Sequence, residues 1–150
     1  LCACYDTLME CGVAAKRDLK KGRISPAVER LIECNILLSG VGFESGGLAL
    51  AHAIANGLTI LPECRAMHGE AVAFGLEVQL RLERAPELDQ VLEFCQRVGL
   101  PTTLAELGLG EISDTDLMSV ADAAFRNERN MANEQAKVTR QKLVQLMCEA

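Results

Sequence analysis

Apolar residues recur at three- and four-residue intervals along this chain, and no segment gives a convincing strand, so the backbone has to satisfy itself in helices. Cys4, Leu8, Cys11 and Ala15 mark the first stripe, which Gly22 closes. Ser25-Pro26 signals a second start, because Ser can cap and Pro at the first helical position gives up an N–H that would lack a partner. Ala27, Leu31, Cys34 and Leu38 continue that stripe to an expected end at Ser39-Gly40. Beyond a glycine turn, Ser45 can cap a segment from Gly46 to Asn56. In it Leu48, Ala51 and Ala55 share one face, while Ala49, His52 and Asn56 share the next.

Leu58 to Leu61 reads as a connection before Pro62, since nothing else in the chain would pair with it as a strand. His68-Gly69 opens a long helix with Val72, Ala73, Leu76 and Leu80 inward. Pro86 starts another through Val98, which Gly99-Leu100-Pro101 breaks. A short helical turn follows from Thr103 to Leu107, Ser113 with Asp116 resembles a capping box leading to about Arg126, and a last helix is expected over 133–147. The expected fold is all-α, a single bundle of six or seven helices over 1–150.

Composition agrees with this and removes several function classes. Hydrophobic residues make up 49% of the chain but aromatics only 3%, so the core must be filled by Leu, Val, Ile and Ala. A net charge of −6 argues against a nucleic-acid partner, which would require clustered Lys and Arg. The short basic run 16–21 sits where cations favour a helix C-terminus. No apolar run reaches the roughly 18 to 20 residues that a membrane helix needs. Seven scattered cysteines, odd in number, are expected to be reduced thiols packed as small hydrophobes in a cytoplasmic protein. The pair Cys2-Ala3-Cys4 is a weak metal signal without a second pair. Leu1 is already apolar and in phase with the first helix, so the chain reads as the downstream portion of something longer.

Chemistry concentrates between Ser39 and Gly75, where the only two histidines, His52 and His68, lie among glycines. One sits inside a helix and the other opens the next, so a helical hairpin can bring them together. Neutral imidazole is a common ligand for zinc or iron, and two imidazoles with one carboxylate leave positions open for water or a substrate oxygen. Asp6, Glu44, Glu63, Glu70 and Glu77 are all candidate carboxylates, with Cys64 as a softer alternative, and the pattern does not choose among them. The structural alternative is that each histidine is a packed or capping side chain.

The run SGVGFESGGLALAHAIANGL followed by HGEAVAFG resembles the metal-binding helices of the iron-containing, or group III, alcohol dehydrogenase family, and of its glycerol dehydrogenases in particular. The resemblance continues through SPAVERLIECNILLSG upstream and RVGLPTTLAEL downstream, so it covers nearly the whole chain. It implies a C-terminal helical domain that holds a divalent metal, zinc or another such as Fe2+, with His52 and His68 as ligands and Phe43 near the substrate. It also implies an N-terminal NAD-binding domain and an aspartate ligand upstream of this sequence, hence an NAD-linked polyol dehydrogenase whose present chain alone is inactive. Separately, the high aliphatic content and the apolar opening helix lead us to expect that the chain self-associates as a homo-oligomer or is covered by a partner. No catalytic or NAD-binding residue is assigned within the chain.

Two departures bear on substrate. The family commonly has a second histidine where this sequence has Ala55, and the linker between the ligands is about one residue shorter, with Glu63-Cys64-Arg65-Ala66-Met67 in it. A hydroxy-acid dehydrogenase of the same family is therefore an alternative, as is a non-catalytic helical interaction domain. A dehydroquinate-synthase-like lyase would want more cations near the histidines than Arg65. Gly40-Val41-Gly42 lacks the dinucleotide spacing and follows a helix rather than a strand.

Overall fold

The computed structural model describes residues 2–150, which form α-helices, turns and loops with no strand among the described residues. Leu1 and the side chain of Cys2 lie outside the described residues. The chain divides into two compact units, 1–47 and 48–150. Among the described residues no single helix is long and apolar enough to cross a membrane.

In the first unit, α1 (Cys2–Lys20) packs against α2 (Pro26–Glu33) and the π-helical segment Cys34–Leu38 that continues it. Cys11, Ala15, Val28 and Cys34 are buried there, and Arg30 forms a bidentate ion pair with Glu10 across the two helices. The α1 stripe ends as its residues require, with Gly22 at φ 66°. The expected stop at Ser39-Gly40 is not observed. The backbone N–H of Ser39 reaches the carbonyl of Cys34, five residues back, and helix continues as α3 (Ser39–Gly46). Glycine weakens a helix by only about 1 kcal/mol, so Gly40 and Gly42 do not break one that is already running. The break comes at Gly47, whose φ of 68° suits glycine.

In the second unit, α4 (Leu50–Leu58) is central and packs against α5 (His68–Glu83) and α7 (Asp114–Arg126). It starts four residues later than Ser45 and Gly46 suggest. Leu50, Ala51, Ala53, Ile54, Ala55, Gly57 and Leu58 are all buried, leaving only His52 and Asn56 on its outer face. That count follows from size: Ala and Gly let two neighbouring backbones come close at once. A Cβ on Gly75 would lie 2.3 Å from the Ala51 carbonyl oxygen, and one on Gly57 would lie 2.6 Å from that of Val120. Phe74, Val78, Leu117, Val120, Leu143 and Met147 complete the core, each side chain contributing about 1.5 to 3 kcal/mol of burial.

The remaining elements are α6 (Leu88–Val98), α8 (Glu128–Ala132) and α9 (Arg140–Glu149). Ser113 accepts from the Asp116 N–H as the capping pattern predicts. Residues 103–107 make a turn rather than a helix, and the expected last helix over 133–147 begins only at Arg140, capped by Thr139. Asn133 instead donates its side-chain N–H to the Leu48 carbonyl, and Glu134 accepts from the Ala136 N–H. These side-chain bonds give the backbone an alternative to helix.

Glu77 on α5 is 3% exposed and pairs through one oxygen with Arg81, while its other oxygen is buried without a partner. Burial pushes its carboxyl above the ordinary 4.5, outweighing Arg81, with the nearby charge of Glu106 adding to the rise. Above 4.5 the unfolded chain loses this proton before the folded one does. The contribution is thus full below 4.5 and lost as pH rises through the raised value. Glu77→Gln is expected to flatten this loss, seen as a difference between the pH profiles of the urea midpoints of the two proteins.

Candidate metal centre

Two helix starts build the site. The N-cap residue of α4, Ala49, offers no side-chain acceptor for the orphan N–H groups of the first turn. Gln79 of α5 supplies one, its amide oxygen accepting from the Ala51 N–H at 2.9 Å, while its NH2 group donates to Glu83. With Gly75 against the Ala51 peptide, the first turn of α4 is fixed to α5 at two points one helical turn apart. His52 is the next residue. These contacts thus fix the backbone that carries the His52 ring.

His68 is the first residue of α5, and the Glu70 carboxylate accepts from the Met67 N–H at 2.8 Å to cap that end. The imidazoles of His52 and His68 stand with ring centroids 5.6 Å apart and planes at 53°. The two side chains that the sequence singles out are brought together. Partial burial lowers the affinity of His52 for a proton below its ordinary 6.5, and the neighbouring imidazole lowers it further. Near pH 7 the ring is accordingly neutral, the form that binds a metal.

The donor set can be tested against a divalent ion from this geometry. Imidazoles bound to one zinc at about 2.0 to 2.1 Å place their ring centroids about 5 Å apart, so 5.6 Å requires only a small adjustment. The separation allows the two rings to share an ion. No third His, Cys, Asp or Glu joins it among the described residues. Glu70 is engaged as a cap, Glu77, nine residues after His68 on α5, is buried against Arg81, and Cys64 packs on the core. Glu63 lines a separate hollow with Gly108, Glu111 and Asp116. Asp6 and Glu44 belong to the first unit, as does Phe43, which is exposed on α3. Ala55, three residues after His52, is 1% exposed and packed within the core.

Sequence reasoning missed Gln79 and Gly75. The only available signal was that α4 lacks a capping residue of its own and so needs an acceptor from elsewhere.

Among the described residues, then, an all-α arrangement brings two imidazoles together from the starts of successive helices, over a helix contact lined by alanine and glycine. The chain is a homologue of the C-terminal helical part of glycerol dehydrogenases. It is 51% identical over 139 residues to the glycerol dehydrogenase of Thermotoga maritima and 49% identical over 139 residues to that of Citrobacter freundii, covering 91% of this chain in each case. The crystal structure of a probable glycerol dehydrogenase from Sinorhizobium meliloti superposes with a TM-score of 0.91 at 39% identity, covering 97% of this chain and 42% of that one. No family model matches the sequence. The chain spans 38% of the length of the two curated relatives.

Proposed function

We propose that this chain is the metal- and substrate-binding helical part of an NAD-linked polyol dehydrogenase, with His52 and His68 as two ligands of a divalent ion and Phe43 near the substrate. The observation that carries the reading is the approach of the two imidazoles to 5.6 Å from the starts of successive helices. A divalent ion held there supplies Lewis acidity toward a substrate hydroxyl. The chain's own residues position it. His52 is kept neutral by burial, and Gln79 and Gly75 hold the first turn of α4 in register with α5. Zinc is the expected ion, with Fe2+ as the alternative.

NAD is expected to bind in a part of the protein outside these 150 residues. The described residues contain no strand to carry a dinucleotide turn, and Gly40 and Gly42 lie inside a helix. The aspartate that would complete the metal site is expected outside them as well. Exposed apolar side chains, Ile36, Val41 and Met67 among them, favour association with further protein surface, a second copy included.

The test assays the chain and the full-length protein that carries it with glycerol, propane-1,2-diol and small hydroxy acids, following NADH absorbance with zinc present. The chain alone should be silent. The full-length protein should oxidise the polyols and lose that activity on chelation and in His52→Ala. Sustained NADH formation by the chain alone would overturn the assignment of NAD binding elsewhere, and turnover of hydroxy acids only would overturn the polyol.

A further inference from the structure

The first unit holds a pair of nucleophilic side chains that the proposed function leaves unused. Cys4 lies in the first turn of α1 and Cys34 at the first position of the π segment, with their Sγ atoms 3.2 Å apart. The Cys34 thiol also reaches the Cys4 carbonyl oxygen at 3.5 Å. Both cysteines are free thiols. Closing this gap to a bond of about 2.05 Å needs an approach of only about 1 Å, within what two side-chain torsions supply. The π segment is the sparsest of helical conformations, one that a covalent tie across to α1 would hold in place.

We propose that Cys4 and Cys34 form a reversible intramolecular disulfide that staples α1 to the π segment when hydrogen peroxide is present. The two thiols have different parts. Cys4 is half-buried, so it meets the oxidant first, whereas Cys34 is 1% exposed and burial pushes its thiol up to about 11. The Cys4 thiolate attacks one peroxide oxygen; the O–O bond breaks, hydroxide leaves, and Cys4 becomes a sulfenic acid. The Cys34 sulfur then attacks the Cys4 sulfur, the S–O bond breaks, and the departing oxygen leaves as water with the Cys34 proton. Overall, two thiols lose two electrons and two protons, and the peroxide is reduced to two waters. A dithiol reductant reverses the reaction by thiol–disulfide exchange.

The experiment treats the folded chain with one equivalent of hydrogen peroxide, alkylates the remaining thiols and maps the products without reduction. Cleavage after Asp6 and Glu10 separates Cys4 from Cys11, cleavage after Glu33 and Glu44 separates Cys34 from Cys64, and fragment sequencing separates Cys4 from Cys2. A linked Cys4–Cys34 peptide is expected as the main product, with an intact mass lower by two hydrogen atoms that dithiothreitol restores. Cys34→Ser should abolish the link and leave Cys4 as a sulfenic acid that dimedone traps. Cys148→Ser should leave the link unchanged. Alkylation of both Cys4 and Cys34 in the oxidised chain, or preferential linkage of Cys34 to Cys11, would overturn the proposal. The peptide map of the unaltered chain decides this even where Cys34→Ser fails to fold.

Discussion

Gly75→Val is expected to destabilise the second unit strongly. A Cβ at this position would lie 2.3 Å from the carbonyl oxygen, 3.0 Å from the carbonyl carbon and 3.1 Å from the Cα of Ala51. All three atoms are backbone, so no rotamer change relieves the contact. The first turn of α4 would have to retreat by about 1 Å against the packing of Gly57 on Val120 behind it. Overpacking of this kind costs about 1 to 3 kcal/mol, and a clash made wholly with a fixed peptide belongs at the upper end. Gly75→Ala meets the same Cβ contact and recovers up to about 1 kcal/mol of helix propensity, so it should fall between valine and the wild type. Gly69→Ala is the control. Apart from its chain neighbours and the backbone of its own helix, no heavy atom lies within 4 Å of the position that its Cβ would take, and the change should be neutral or stabilising by up to about 1 kcal/mol. Urea midpoints of the three variants measure the series. Equal midpoints for Gly75→Val and Gly69→Ala would mean that α4 and α5 do not meet as closely as described.

The histidine pair was legible because its signals are local. His52 and His68 are sixteen positions apart, with a helix end at Gly57 and a proline between, and a hairpin follows from those residues alone. The inward side of α4 was legible only in part: Ala51 and Ala55 share a face by spacing and both are buried, but Leu48 lies outside the helix, and the buried Leu50, Ala53, Ile54 and Leu58 did not stand out from the spacing. Two things were hidden, and for different reasons. Gly40 and Gly47 look alike in sequence, yet only Gly47 needs a positive φ, so the stop could not be assigned without knowing that a π turn carries the helix past Ser39. The last segment failed because Asn133 and Glu134 spend their side chains on Leu48 and Ala136, and the first of those partners lies 85 residues away. Gln79 belongs to the same class: a solvated glutamine by pattern, and a cap for another helix once the fold exists. The departure at Ala55 reads differently in the folded chain. That position is part of the core, and a histidine there would have to displace packed side chains or turn the helix face.

His52→Ala is expected to remove specific zinc binding from the chain. Two imidazoles act as a chelate: once one holds the ion, the other is already within 5.6 Å and its binding costs little further entropy. Loss of either ring leaves one exposed or half-buried imidazole, no better than any surface histidine. Outer-sphere partners of a metal are worth about 10- to 100-fold in affinity, and a direct ligand should exceed that, so a loss of roughly 100-fold or more is expected. His68→Ala should match it. The double variant should be little worse than either single one, because residues that act as a unit are not additive. A chromophoric chelator competing for zinc at pH 7 measures all three. Lowering the pH should weaken binding by the unaltered chain, because imidazole binds a metal only when deprotonated, and His52 itself takes up a proton less readily than an ordinary histidine. Wild-type affinity itself should be modest, because no third His, Cys, Asp or Glu stands beside the pair among the described residues. Tight binding that survives His52→Ala and disappears in Cys64→Ser would show instead that the chain holds zinc through thiols, and the imidazole pair would then have to be read as packing.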